Sequence, residues 1–125
     1  MQNRPTAAEL TGTVATFVEN DVMPNLSGAL SFQCRVALNS LRIIERELEL
    51  APGLNSEELA RLEQLLGKTG DLDDLNRELC ERVRDGVLSI DDPDLLAHLK
   101  QTIMAKASID NPRYSGYRDA LKAAE

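Results

Sequence analysis

Apolar residues recur along this chain at three- and four-residue spacing, and no stretch alternates with a period of two. That spacing lines side chains along one side of an α-helix, so the chain reads as all-α. Thr6 followed by Glu9 forms a capping box, with Pro5 just ahead of it. The helix it opens carries Ala7, Leu10, Val14, Phe17 and Val18 on its inward stripe and ends near Met23-Pro24. The next and longest helix covers residues 27–50, on the order of 35 Å at the standard rise. Ala51-Pro52-Gly53 is its expected stop.

A helical wheel gives this long helix two apolar faces. One holds Leu30, Cys34, Ala37, Leu38, Leu41, Ile44 and Leu48; the other, roughly opposite, holds Phe32, Val36, Ile43 and Leu50. A helix apolar on two sides is expected to be covered on two sides, which makes it the central helix. Asn55 or Ser56 caps a short third helix with Leu59, Leu62 and Leu66 inward and Gly67 as its stop. Asp71 caps a fourth, with Leu72, Leu75, Leu79 and Val83 inward, ending at Gly86. Asp92-Pro93 opens a fifth, with Leu95, Leu96, Leu99 and Ile103 inward, which stops before Asn111-Pro112. The expected architecture is a single-domain bundle of about five helices around a long central helix, spanning residues 1–125. Residues 118–125 form either a last short helix or a frayed tail.

Composition narrows the function. Fourteen basic residues against twenty-one acidic ones give a net charge of −7, which repels nucleic acid and anionic lipid. No apolar run approaches the roughly 18 residues that a membrane span needs, and no secretory leader is legible. Aromatics make up 3% of the chain and tryptophan is absent, so the core must come from Leu, Ile, Val and Ala. Cys34 and Cys80 are expected as buried, reduced thiols, in keeping with a cytoplasmic protein.

Several polar residues fall on apolar stripes. Asp21 shares the line of Leu10, Val14 and Phe17. Asn39 lies beside the second face of the long helix, flanked by Arg35 and Arg46, and Asn76 sits among Leu72, Leu79 and Val83. Lys106 and Asp110 follow the line of Leu95, Leu99 and Ile103, just ahead of Asn111-Pro112-Arg113-Tyr114. A buried charge needs a partner and a buried amide needs hydrogen bonds. One reading makes Asp21, Arg46 and Asn76 structural, fixing helix register. The other makes Arg35, Asn39, Lys106, Asp110, Asn111, Arg113 and Tyr114 a ligand-binding set, with arginine offering a planar fork to a carboxylate or phosphate.

Catalytic signatures are missing. His98 is the one histidine, projects off the main apolar stripe of its helix and is expected at a solvated or rim position. One histidine and two separated cysteines do not match a zinc site, and no Glu-x-x-His pair, phosphate loop or nucleophile elbow occurs. No metal, cofactor or catalytic residue is therefore expected, and an enzyme is the least favoured reading.

The runs Arg35-Val36-Ala37 with Asn39 and Leu41, Arg46-Glu47-Leu48, Leu75-Asn76 with Leu79, and Asn111-Pro112-Arg113-Tyr114 resemble a family of small uncharacterised bacterial proteins. The likeness covers residues 4–114. Its members tend to be encoded beside aminoglycoside-phosphotransferase-like kinases and acyl-CoA dehydrogenases. The resemblance implies a setting in acyl-CoA or carboxylic-acid catabolism and a protein partner of the kinase-like or dehydrogenase kind. The sequence thus favours a non-enzymatic accessory protein that binds a partner, or a second copy of itself, through a helix face. The alternatives are a module binding an organic acid, phosphate or CoA-type anion, and an enzyme without a recognisable motif.

Overall fold

The computed structural model describes residues 3–125. Five α-helices follow one another, and the described residues contain no strand. They are α1 (Ala7–Phe17), α2 (Gly28–Leu66), α3 (Leu72–Arg84), α4 (Pro93–Asp110) and α5 (Ser115–Ala123). A π turn (Val18–Val22) and a 3-10 turn (Met23–Asn25) carry the chain from α1 toward α2, close to the expected end at Met23-Pro24. The chain divides into two compact units, the first ending at Ala51 and the second running from Pro52 to Glu125.

Local signals set most boundaries as expected. The Thr6 hydroxyl accepts from the Glu9 amide at 3.2 Å, and the Thr6 amide donates to the Glu9 carboxylate at 2.7 Å, completing the capping box. Asp71 accepts from the Asp73 amide at 2.9 Å, and Asp92 Oδ1 accepts from Asp94 and Leu95 at 2.9 and 3.0 Å. Each cap satisfies backbone donors that a helix start leaves open. Gly67 and Gly86 take φ of 69° and 74°, the left-handed conformation that ends α2 and α3.

Pro52 departs from expectation. The predicted stop at Ala51-Pro52-Gly53 does not form, and α2 continues through it as one helix. A proline removes a single amide donor; Pro52 and Gly53 are exposed, and the Ser56 hydroxyl donates back to the Pro52 carbonyl at 3.0 Å. The expected second and third helices are therefore one, and the C-terminal segment supplies the fifth.

In the first unit, α1 meets α2 through small side chains. Ala15 is fully buried, Ala8, Thr11 and Gly12 are half-buried, and a Cβ added at Gly12 would fall onto the Glu45 carboxylate. Arg42 of α2 donates to Glu19 of the π turn at 2.9 Å and, along its own helix, to Glu45 at 2.8 Å. Those two carboxylates, Glu45 first, raise the guanidinium pKa further. The stripe expected to face inward instead faces out: Leu10, Val14 and Phe17 are exposed. Nor is α2 covered on two sides here, since Leu38 is buried while Leu30, Phe32, Val36, Ile44, Leu48 and Leu50 are exposed.

The second unit has a leucine core, with Leu62 and Leu66 from α2, Leu75 and Leu79 from α3 and Leu95 from α4. Leu59, Leu72 and Val83 pack around it, as the stripes of α2 and α3 predict, and so do Leu65 and Leu88, which those stripes do not include. The α4 stripe is corrected. Leu95 and His98 are buried and Thr102, Ala105 and Ile109 half-buried, whereas Leu96, Leu99 and Ile103 are exposed. Positions 95, 98, 102, 105 and 109 keep three- and four-residue spacing, so this helix has two competing stripes and turns the smaller, more polar one inward. Both cysteines are free, but neither is a core thiol: Cys34 is half-buried and Cys80 exposed.

Candidate functional site

Few of the polar residues singled out in the sequence are buried. Arg35 and Asn39, in the first unit, are both exposed, so Asn39 is not the buried amide its place on the helix wheel suggests. Asp21 is exposed too, its stripe having turned outward, and its carbonyl accepts from Asn25 Nδ2 at 2.7 Å. Arg46 is half-buried. In the second unit Lys106, Asp110, Asn111, Arg113 and Tyr114 are all exposed. Asn76 is half-buried and donates to Glu58 Oε1 at 2.9 Å, linking α3 to α2.

Of this set, Tyr114 enters a cavity with unmixed chemistry. A groove of about 570 Å³ runs between α4 and α5, lined by Leu96, Leu99, Lys100, Ile103, Met104 and Ala107 on one side and by Tyr114, Gly116, Tyr117 and Ala120 on the other. Its α4 residues advance by three or four at a time over about three turns, on the order of 17 Å. A Cβ at Gly116 would fall 2.7 Å from the Tyr114 ring, so glycine lets that ring lie against the start of α5. The walls are apolar except for Lys100.

A second cleft, of about 400 Å³, mixes polar groups with the apolar side chains of Leu65, Leu88 and Ala97. Arg61 and Gln64 reach it from α2, and Asp92, Asp94, His98 and Gln101 from the start of α4 and its first turns. His98 is 3% exposed, which corrects the rim position expected for it. Its Nδ1 and the Arg61 Nε are buried without a hydrogen-bond partner. Arg61 Nη2 donates to the Thr102 hydroxyl at 3.4 Å. Burial, with Arg61 adding repulsion, holds the imidazole below its ordinary pKa of 6.5, while Glu58 acts the other way. His98 is therefore a neutral imidazole at neutral pH. The signal that could have found it is the stripe Leu95, His98, Thr102, Ala105 and Ile109, as periodic as the larger one beside it.

Among the described residues no cluster of three or more His, Cys, Asp or Glu side chains is placed to hold a metal ion. No helix among them is long and apolar enough to cross a membrane. No curated protein and no solved structure matches this chain. One family model does, over residues 24–114, from the 3-10 turn to Tyr114, leaving α1 and α5 outside the match. The chain belongs to that family, described as a domain of unknown function (DUF6285).

Proposed function

We propose that this protein is a non-enzymatic accessory protein that binds a partner protein by seating an amphipathic helix in the groove between α4 and α5. The observation that carries this reading is the register of α4. The helix turns Leu95, His98, Thr102, Ala105 and Ile109 inward and leaves Leu96, Leu99 and Ile103 at 51%, 41% and 65% exposure. Large apolar side chains grouped along one groove, rather than scattered singly, are characteristic of an interaction site. The i, i+3, i+4, i+7 spacing along the wall suits a helix laid against it.

Charge selects the partner's flank. The stretch from Leu96 to Ala120 carries Lys100, Lys106, Arg113 and Arg118 against Asp110 and Asp119, a local excess of cations in a chain of net charge −7. An incoming helix with an apolar stripe and an acidic edge complements it. The resemblance to proteins encoded beside aminoglycoside-phosphotransferase-like kinases and acyl-CoA dehydrogenases makes those two the first partners to try, in a cytoplasmic setting of acyl-CoA or carboxylic-acid catabolism.

The test is co-expression with each, followed by light scattering on the eluted species. Complex formation lost in Ile103→Glu, with the variant's helix content unchanged, supports the proposal. A protein that stays monomeric with both partners, or a complex indifferent to Ile103→Glu, sinks it. Self-association lost in Ile103→Glu would instead assign the groove to a second copy of the chain and overturn the hetero-partner.

A further inference from the structure

We propose that the polar cleft between α2 and the start of α4 binds a small zwitterion of the amino-acid type, with its carboxylate against Arg61 and His98 and its ammonium against Asp92 and Asp94. The two proposals are independent, since this cleft lies apart from the apolar groove in its lining residues.

Two orphaned atoms motivate it. Arg61 Nε can only donate, and at His98 Nδ1 nothing in the chain supplies the complementary group. A buried polar group without a partner is destabilising, so a pair of them on two residues that line one cleft points to a group that arrives from outside. Arg61 Nε donates to a carboxylate, and the neutral His98 donates beside it in the tautomer that carries the proton on Nδ1.

The other lining groups decide what the rest of the ligand must be. Asp92 and Asp94 bring two negative charges to the cleft against the single positive charge of Arg61. A simple anion would be repelled by the pair, whereas a molecule with a positive end one or two bonds from its carboxylate matches both. A volume of about 400 Å³ suits a metabolite of that size. Neither orphaned atom touches solvent, so a side chain of the lining must shift for a ligand to reach them.

His98 is the only histidine, which makes its imidazole a unique reporter. The experiment follows the ring nitrogens of the full chain by nitrogen-15 NMR while glycine, alanine, serine or glutamate is added up to about 10 mM, above the millimolar Kd of a weak site. Acetate and methylammonium serve as half-ligand controls. The expected result is a saturable shift at His98 with at least one amino acid, absent with either control. Both Arg61→Lys and Asp94→Asn should abolish it. Asp94 is exposed, so its variant keeps the test sharp should the Arg61 variant fail to fold. A flat titration with every amino acid overturns the proposal. So does an equal response to acetate, or binding that survives Asp94→Asn.

Discussion

The orientation of α1 can be decided by two neighbouring substitutions whose effects should be opposite to those the apolar pattern suggests. Phe17 is 58% exposed and Ala15 is 0% exposed. Full burial of a phenylalanine contributes about 1.5–3 kcal/mol, so a ring already more than half in water contributes on the order of 1 kcal/mol. Helix propensity barely separates Phe from Ser. Phe17→Ser should therefore cost about 1 kcal/mol or less. Ala15→Leu, by contrast, forces three extra carbons into the contact between α1 and α2 and should cost about 1–3 kcal/mol. Urea unfolding followed by far-UV circular dichroism measures both, and repeating it at a tenfold higher protein concentration separates folding from association. Were Phe17 inward, its truncation would cost about 3–5 kcal/mol and Ala15→Leu would be absorbed at the surface. That pair of results would refute the geometry of the first unit.

Three further outcomes follow from the second unit and the long helix. Leu62→Ala removes a fully buried side chain from the leucine core and should cost about 2–5 kcal/mol, lowering Tm by several degrees per kcal/mol, as calorimetry would show. His98 is held below its ordinary pKa of 6.5, so the unfolded state binds the proton more readily. Stability from this group is complete above 6.5 and falls as pH drops below it toward the folded-state value; Glu58 and Arg61 are the charges acting on the ring. In His98→Gln that part of the slope below pH 6.5 should vanish in pH-dependent melting. Pro52→Ala restores an amide donor inside α2 and should raise stability by up to about 3 kcal/mol in urea titrations, while a loss would mean that Pro52 is favoured there by something other than the helix.

What the sequence makes legible is whatever a few adjacent residues decide. Thr6 with Glu9, Asp71, Asp92-Pro93, Gly67 and Gly86 each satisfy or terminate a helix end locally, and each works in the structure as its type requires. Pro52 misleads because one missing donor at an exposed position does not outweigh helix on both sides of it. The faces of α1 and α4 were hidden for a different reason. Each helix carries two stripes of equal periodicity, one of large apolar residues and one that is smaller or more polar on the whole, and periodicity alone cannot rank them. Size ranks them wrongly. Small residues leave room for a neighbouring helix's side chains, as Gly12 does for the Glu45 carboxylate. The polar cleft escaped for a third reason, because Arg61 and His98 are far apart in sequence and meet only through the fold. These failures share a direction. Where alanine, glycine, threonine and histidine take inward positions on a helix, large apolar residues such as Phe17, Leu96 and Ile103 are left outside. Solvation would select against such residues unless another surface covers them. Leu96, Leu99 and Ile103, rather than the polar residues that intrude on the stripes, are therefore where a partner should first be sought.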